Sequence, residues 1–439
     1  MLTTTAMRPV RNIALMVYAT ACALLVGTIL LTNWPTYSYQ VRGGFIPLYY
    51  YALPGILVIP IMFAHPDAPL CLLRSPIFWW FTVYVLLGLL WQVGAQDFSE
   101  ETSSAFRLRL LVFLVFVTTA TILSESNRLP VAVLIAVCVL LAGAFNWFDS
   151  LRPFRFVPQG IEGATEGRGA GLFMNPNTAG SFVVMGTIAA LPFVPMRFRA
   201  LALTAAVMCL APTFSRGAFV LVAVAAVSAI LLGLVRRMQI ILVLVAVPLL
   251  IIVVNFGYDY LMTHSEDRNM RSVVERLVVL TDSGVEDDSV DTRADAATRA
   301  WALFKQNPLY GAGLGATTSL SFVTGPHNMY VTLMGDQGVF GLGLYLSLLL
   351  LLTQTGWRLM RSAPTPRGAD IGRATIMLAL CLAVNGFFSH NVLDETQSMF
   401  LLAFLVAAGL QAQRATGAPA ASSPAARLSV RRPPRLIRW

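Results

Sequence analysis

The sequence predicts an all-α polytopic membrane protein that crosses the bilayer about 12 times. Hydrophobic residues make up 56% of the 439 residues and charged residues only 12%. The mean hydropathy of +0.69 is too high for a water-soluble globular protein. Apolar runs of about 17–25 residues, long enough to cross the hydrocarbon core as helices, recur along nearly the whole chain. Helices are expected because membrane-spanning strands would be shorter and would alternate polar with apolar residues.

The first unit of the chain, residues 1–256, is predicted to hold nine spans. The charged N-terminus precedes an apolar run too long for a signal-peptide core, so we interpret this run as a retained first span. Pro54 and Pro60 predict kinks in the second span. The connection 146–177 is too rich in glycine, proline and charge to lie in lipid. The spans cover approximately residues 12–32, 45–64, 76–95, 105–123, 129–145, 178–194, 201–213, 218–235 and 240–256.

A large polar loop, residues 257–325, is predicted to follow the ninth span. Within it, residues 292–306 place Ala297, Trp301 and Phe304 on one helical face, which predicts an amphipathic helix. Residues 326–413 hold the last three spans, near 326–354, 371–388 and 399–410. Residues 414–439 form a basic, low-complexity cytoplasmic tail that we expect to be disordered.

The distribution of arginine predicts which side of the membrane each loop faces. With twelve spans both termini lie on one side, and the positive-inside rule makes that side the cytoplasm, because the short basic links MRFR and VRRMQ then lie inside. The large polar loop therefore faces outward. This orientation brings residues from separate parts of the chain to the outer surface, namely Arg168, Arg216, Arg293 and His327.

His327 lies between Pro326 and Asn328 at the predicted start of the tenth span, where proline favours helix initiation. A helix N-terminus disfavours the imidazolium, so the histidine is expected to stay neutral and able to accept a proton. His327 is therefore a candidate general base. Its alternative role is that of a hydrogen-bonded interfacial histidine. His390 repeats the His-Asn pair after the eleventh span, and there a structural role is favoured.

The outer arginines are candidate ligands for a diphosphate, because a guanidinium donates two parallel hydrogen bonds to phosphate oxygens. Arg216 lies in a very short link between two apolar runs, Arg168 lies in a glycine-rich turn, and Arg293 heads the amphipathic helix. Each could instead reach lipid headgroups or solvent. A cluster of them could stabilise a departing diphosphate without a metal. Further candidate substrate contacts are Arg276, Arg299, Lys305 and Asn328.

Other motifs give weaker indications. No DxD, HExxH or paired-carboxylate pattern suggests a metal site, and no cofactor is expected. The run GAGLGA, which begins at Gly311, lacks the βαβ unit of a dinucleotide-binding site. The five cysteines fall in or beside apolar runs and are expected to pack as small apolar residues. The main acidic cluster of a short outer loop, expected to be solvated, comprises Asp97, Glu100 and Glu101.

Several sequence blocks resemble the shared region of bacterial O-antigen ligases and the related O-antigen polymerases. They are RGAGLFMNPNTAG from Arg168, TFSRGAFV around Arg216, and the region from Arg293 through WALFKQNPLYGAGLGA to PHNMYVTLMGDQGVFGLGLYL. The blocks cover residues 168–346, and the arrangement of the spans around one large outer loop extends the resemblance over most of the chain.

The resemblance implies a membrane-embedded glycosyltransferase of the GT-C-like type with a periplasmic active site in the bacterial inner membrane. Such enzymes pass glycan from undecaprenyl diphosphate to an acceptor hydroxyl, which in the ligases belongs to lipid A-core, in an inverting reaction that needs no metal. By resemblance, His327 would be the base, Arg216 and Arg293 would bind the diphosphate, and Arg168 would support phosphate or glycan binding. The expected partners are the donor, the acceptor and the lipid bilayer, with no nucleic acid; the oligomeric state is left open.

Three alternative functions remain open from the sequence. An O-antigen polymerase would use the same arginines with another carrier-linked repeat unit as acceptor, and a protein O-oligosaccharyltransferase belongs to the same superfamily. A transporter or flippase of lipid-linked sugars is expected to carry ionisable residues and broken helices near the membrane midplane. The predicted spans hold few charges, which disfavours the transporter.

Overall fold

The computed structural model describes residues 13–94, 100–159, 168–236, 288–318 and 325–417, and the regular structure in these ranges is entirely helical. Eight of the described helices are long and apolar enough to cross a membrane, or nine if the bent pair Asp67–Arg74 and Pro76–Gln92 forms one span. The prediction of an all-α polytopic membrane protein is confirmed.

The described α-helices are numbered here in chain order, and short 3-10 turns connect some of them. They are α1 (Ile13–Leu31), α2 (Trp34–Arg42), α3 (Pro47–Leu57), α4 (Ile59–Ala64), α5 (Asp67–Leu70), α6 (Pro76–Gly94), α7 (Glu100–Glu125), α8 (Arg128–Leu151), α9 (Pro176–Ala190), α10 (Arg199–Leu210), α11 (Arg216–Leu231), α12 (Asp288–Gln306), α13 (Met329–Ser362), α14 (Pro366–Asn385) and α15 (Thr396–Gly417).

Helices occupy the position of every predicted span except the ninth, 240–256, which lies outside the described residues. The kink predicted in the second span is a break at Val58, between α3 and α4. The helices at the sixth and eighth predicted spans are short, with 15 residues in α9 and 16 in α11. The basic tail beyond residue 417 and most of the large polar loop also lie outside the described residues.

The centre of the bundle is formed by α9, α14 and α15. Every residue from Ala179 to Ala190 of α9 is buried. Of the most apolar stretch of α15, 83% is buried, against 17% for the stretch that comprises α3 and α4. Because lipid is as apolar as leucine, helices in a membrane associate through close packing of small residues. Gly356 of α13 and Gly372 of α14 meet in this way, since a Cβ added to either would lie within 2.6 Å of the other's carbonyl oxygen.

The long helix α13 is broken at Gly338, which has φ 64° and ψ −154°. A break releases N–H and C=O groups that an unbroken helix would pair internally. The segment 308–317, called here the glycine-rich loop, pairs with these released groups. The backbone bonds run from Val339 N–H to the Pro308 carbonyl (2.9 Å), from Ala312 N–H to the Gly335 carbonyl (2.8 Å) and from Gly313 N–H to the Asp336 carbonyl (3.0 Å).

Side chains of three helices hold the glycine-rich loop in place. The Asp336 carboxylate of α13 accepts hydrogen bonds from the N–H groups of Gly315 (3.2 Å) and Thr317 (2.8 Å). Trp91 of α6 donates its indole N–H to the Tyr310 carbonyl at 2.7 Å, and Thr102 of α7 donates its hydroxyl to the Leu314 carbonyl at 3.1 Å. The GAGLGA run is therefore a docking segment between α12 and α13.

The predicted amphipathic helix is present as α12 and packs against α13. Ala296 and Ala300 of this helix are buried, whereas Trp301 of the predicted apolar face is 44% exposed. The reason is the close approach to α13: a Cβ on Gly335 would lie 3.1 Å from the Ala300 carbonyl oxygen, so only small residues fit between the helices.

We expect Gly311→Ala to destabilise the protein by more than about 2 kcal/mol. Gly311 has φ +71°, which strains any L side chain, and its Cβ would lie 2.3 Å from the Asp336 carbonyl carbon. Gly343→Ala is the control, because Gly343 lies in the same protein with open space around its Cβ position. Thermal unfolding of the purified protein in detergent measures the difference, and equal midpoints for the two variants would contradict the proposed docking of the loop.

Candidate functional site

Several helix ends converge where His327 lies, and this part of the bundle is called the His327 end. The Met329 N–H at the start of α13 donates to the Gly386 carbonyl after α14 at 2.7 Å. Thr178 in the first turn of α9 donates its hydroxyl to the carboxylate of Glu395, just before α15, at 3.1 Å. The turn 386–395 between α14 and α15 therefore lies among the N-terminal ends of α9, α13 and α15.

His327 precedes the helix instead of lying in its first turn. The helix begins at Met329 and Asn328 is its N-cap, with its side-chain oxygen accepting from the N–H groups of Tyr330 (3.0 Å) and Val331 (3.2 Å). The predicted helix start at Pro326 was wrong, because the Asn328 cap sets the start. His327 has a left-handed backbone, φ 46°, which is rare for residues other than glycine and is often found at functional sites.

His390 lies against His327, with ring centroids 5.2 Å apart and the rings nearly perpendicular. Burial lowers the pKa of His390, so its ring is neutral near pH 7. Gly325 packs against the His390 ring, since an added Cβ would lie 2.9 Å from Nε2. We assigned His390 a structural role from the sequence, whereas the structure places it beside the candidate base.

Arg168 is oriented at the same end by two hydrogen bonds. Its Nε donates to the Thr213 carbonyl and its Nη2 to the Asn177 side-chain oxygen, both at 3.0 Å. Ser215 donates its hydroxyl to the same Asn177 oxygen at 2.9 Å. Asn177 therefore links Arg168 to the residue that precedes Arg216.

The loop that carries Arg168 is fixed to α8. The Asp149 carboxylate accepts hydrogen bonds from the N–H groups of Ala170 (2.9 Å) and Gly171 (3.0 Å). Gly169 lies so close to α8 that an added Cβ would be 1.9 Å from the Asn146 carbonyl oxygen. The glycines of the RGAG segment are therefore required by close backbone packing, and this packing sets the position of Arg168.

Arg216 is the first residue of α11, whose N-cap is Ser215, and its side chain is exposed. The next residue, Gly217, packs against Phe388 of the turn 386–395, since its Cβ would lie 2.9 Å from the Phe388 ring. Arg216 therefore lies beside the turn that carries His390. Arg168, Arg216 and His327 all lie at the His327 end, although they are far apart in the sequence.

The other predicted basic residues lie in α12 or outside the described residues. Arg293 is part of α12, three residues before the buried Ala296. Arg299 pairs with Asp295 one turn away on the exposed face of the same helix. Lys305, near the end of α12, is exposed. Arg276 lies outside the described residues.

Two polar cavities lie at the His327 end and share Asn391 and Asp394. Cavity A has a volume of about 650 Å³, and residues from α6, α7, α13 and the turn 386–395 line it. Cavity B has a volume of about 340 Å³. The polar residues that characterise cavity A are Arg109, Asp336, Gln337, His390, Asn391 and Asp394. Those that characterise cavity B are Asn33, Gln40, Asn175, Asn391, Asp394 and Glu395. Glu100, expected to be solvated, is also in the wall of cavity A.

Arg109 was missed by the sequence analysis. It lies in α7, within a predicted span, and is only 6% exposed. Its guanidinium lies over the Tyr84 ring, 4.2 Å from the centroid, and its Nη1 has no hydrogen-bond partner among the described residues. An ionisable residue inside an apolar span is itself a sign of function, and that signal could have found Arg109.

Two adjacent acids at the turn were also missed. Burial raises the pKa of Asp394 to about 6, and the nearby Arg109 opposes this shift. Burial raises the pKa of Glu395 to about 7, against the hydrogen bonds from Thr178 and Ser398 and with a further increase from Asp394. Both side chains therefore titrate close to neutral pH. No three His, Cys, Asp or Glu side chains converge as a metal site in the described ranges.

The fold and the site define a polytopic helical membrane protein in which Arg168, Arg216 and His327 lie at one end of the bundle, with His390, Asp394 and Glu395 in the turn beside them. Residues 200–346 match the family model described as O-antigen ligase, so this segment is similar to that family. The resemblance predicted from the sequence is confirmed. The matched segment contains Arg216, Arg293 and His327, whereas Arg109, Arg168 and His390 lie outside it. No curated protein matches the chain.

We expect Glu395→Gln to stabilise the protein at pH 8 by roughly 1–3 kcal/mol. The folded protein holds the Glu395 proton up to a pKa of about 7, above the ordinary value of 4.5. The folded state therefore binds more protons than the unfolded state between these values, and its stability falls as the pH rises through this window. The gain in the variant should be largest at pH 8 and small at pH 5.

Thermal unfolding in detergent at pH 5 and pH 8 provides the measurement. Asp394, with a pKa of about 6, shifts stability in the same direction as Glu395. His390, whose pKa is lowered, acts in the opposite direction by favouring unfolding as the pH falls. Both remain in the variant, so the difference between variant and wild type measures Glu395 together with its coupling to Asp394. A loss of stability that is the same at both pH values would show that Glu395 is needed only as a hydrogen-bond acceptor.

Proposed function

We propose that this protein is an O-antigen ligase. It transfers O-antigen glycan from undecaprenyl diphosphate to a sugar hydroxyl of lipid A-core, at the periplasmic face of the bacterial inner membrane, and so completes lipopolysaccharide. The observation that carries the proposal is the meeting of Arg168, Arg216 and His327 at one end of the bundle. The family match over residues 200–346 gives this arrangement its reaction class.

His327 acts as the general base in this proposal. The acceptor hydroxyl gives its proton to the imidazole as its oxygen attacks the anomeric carbon, and the bond from that carbon to the diphosphate oxygen breaks on the opposite face. The configuration is inverted. The nearby N-terminus of α13 disfavours an imidazolium, which keeps the base neutral before the reaction. The neutral ring of His390 lies against His327 and fixes its orientation.

The arginines stabilise the departing diphosphate, which carries the electron pair of the broken bond. Arg216 lies at the N-terminus of α11, where the helix dipole also favours an anion. Arg293, in α12, is a further proposed ligand of the diphosphate. Arg168 is held in advance by Thr213 and Asn177, which lowers the entropy lost when it contacts phosphate or glycan. Arg276 and Arg299 are secondary contacts, and Asn328 contributes by capping α13.

The membrane position of the site suits substrates that are both anchored in lipid. Donor and acceptor diffuse in the bilayer, so the reacting groups must meet at its surface. The predicted orientation, with both termini cytoplasmic, places the His327 end on the periplasmic side. The donor is already activated as a diphosphate, so the reaction requires neither a nucleotide nor a metal ion.

We expect His327→Ala to lower the transfer rate by about 100- to 10,000-fold, because the acceptor hydroxyl loses its base. The assay combines purified protein, undecaprenyl-diphosphate-linked O-antigen and lipid A-core in the presence of chelator, and detects lipopolysaccharide. His65→Ala is the matched control, since His65 lies between α4 and α5, outside the site. Retained transfer in His327→Ala would rule out the base role. Loss of wild-type activity on chelation, restored by a divalent metal, would rule out the metal-independent scheme.

Glycan accumulation in cells distinguishes a ligase from a polymerase of the same superfamily. Deletion of a ligase leaves polymerised glycan on its lipid carrier, because polymerisation continues without transfer. Deletion of a polymerase leaves lipid A-core that bears single repeat units. We expect the first result, measured by gel electrophoresis of lipopolysaccharide and by extraction of carrier-linked glycan, with the wild-type gene restored on a plasmid as control. Single repeat units on the core would assign the polymerase function instead.

A further inference from the structure

Cavity A contains buried polar atoms that make no hydrogen bond. Gln337 of α13 is 1% exposed, yet neither its amide nitrogen nor its amide oxygen has a partner in the described part of the chain. Nη1 of Arg109 and Nδ1 of His390 are also buried and have no hydrogen-bond partner among the described residues. Buried polar groups are nearly always hydrogen-bonded in folded proteins, because an unpaired group loses its hydration without compensation. A polar ligand in cavity A would satisfy these atoms.

The charges around cavity A indicate what kind of ligand this is. Among the described lining residues Arg109 is the only one with a permanent positive charge, whereas Asp336, Asp394 and Glu100 are acidic. A diphosphate would meet a lining with more negative than positive groups. A sugar fits better, because each hydroxyl both donates and accepts a hydrogen bond, and Gln337 offers both functions. The volume of about 650 Å³ also suits a small organic ligand.

We propose that cavity A is a binding subsite for a neutral sugar residue, with Gln337 and Arg109 as its hydrogen-bonding groups. The proposal rests on the proposed function and adds a second recognition element to it. His390 belongs to the wall of cavity A and also lies against His327. A sugar in cavity A is therefore adjacent to the proposed base, and the arginines at the α11 side are left for the diphosphate.

The sugar has two possible sources, the O-antigen donor and the core acceptor, and both present the same hydroxyl chemistry. Three soluble probes separate them. The first is O-antigen repeat oligosaccharide released from its diphosphate, the second is core oligosaccharide freed of lipid A, and the third is inorganic pyrophosphate. Binding of each probe to the full-length protein in lipid nanodiscs is measured by isothermal titration calorimetry.

The test variant is Gln337→Leu, which keeps a similar side-chain volume and removes both amide atoms. Since these atoms have no partner within the described ranges, the variant should be at least as thermally stable as wild type. It should bind one of the two oligosaccharides roughly 3- to 30-fold more weakly, which corresponds to one or two lost hydrogen bonds. Pyrophosphate binding should be unchanged. The matched control is Gln354→Leu, an exposed glutamine on the same helix, which should bind every probe as wild type does.

The oligosaccharide whose affinity falls identifies the source of the sugar. The proposal is overturned if neither oligosaccharide binds wild type, if Gln337→Leu binds both as tightly as wild type, or if the variant loses affinity for pyrophosphate instead. These results are independent of the transfer assay. If the wild-type protein binds sugar through Gln337 but does not transfer glycan to lipid A-core, only the proposed function is contradicted. If Gln337→Leu transfers glycan at the wild-type rate with an unchanged KM for both substrates, only the sugar subsite is contradicted.

Discussion

The pairing between the break at Gly338 and the glycine-rich loop is the constraint on which the site depends. An unbroken α13 would use the carbonyls of Gly335 and Asp336 for its own hydrogen bonds, and the loop N–H groups would be left without partners. The break makes these groups available to the loop, which continues from α12 and thereby holds that helix against the bundle. The same pairing fixes the segment of α13 that carries Asp336 and Gln337 in the wall of cavity A.

Hydropathy predicted most of the fold because the span length of a helix is set by the thickness of the bilayer. The predicted spans match the described helices closely, and Pro54 and Pro60 indicated the break near Val58. Details that depend on contacts between helices or on helix capping were not predictable from the sequence. The buried face of α12 follows from its contact with Gly335, and the start of α13 follows from the Asn328 cap, which competes with the proline signal at Pro326.

The candidate site was predicted in part, because the predicted topology places residues near the starts of several spans on the same side of the membrane. Arg168, Arg216 and His327 were found in this way. Arg109 and Gln337 were missed because they lie inside predicted spans. The mean hydropathy of a span stays high when it contains a few polar residues. Their importance depends on which helix face turns toward a cavity, and only the packed bundle defines that. Glu395 was missed for a similar reason, since its burial results from contacts with α9 and α15.

The two sides of the turn 386–395 differ in charge, and under the proposed function this difference would separate the charged leaving group from the neutral glycan. On the α11 side, Arg216 and the helix N-terminus favour anions. On the side of cavities A and B, the buried carboxyl groups of Asp394 and Glu395 disfavour them. These acids would repel a diphosphate from the cavities, whereas sugar hydroxyls would pair with acids and amides. His327 contacts His390 in the wall of cavity A, so under the proposed function the base would lie next to a sugar bound there, as the attack of the acceptor hydroxyl on the anomeric carbon requires.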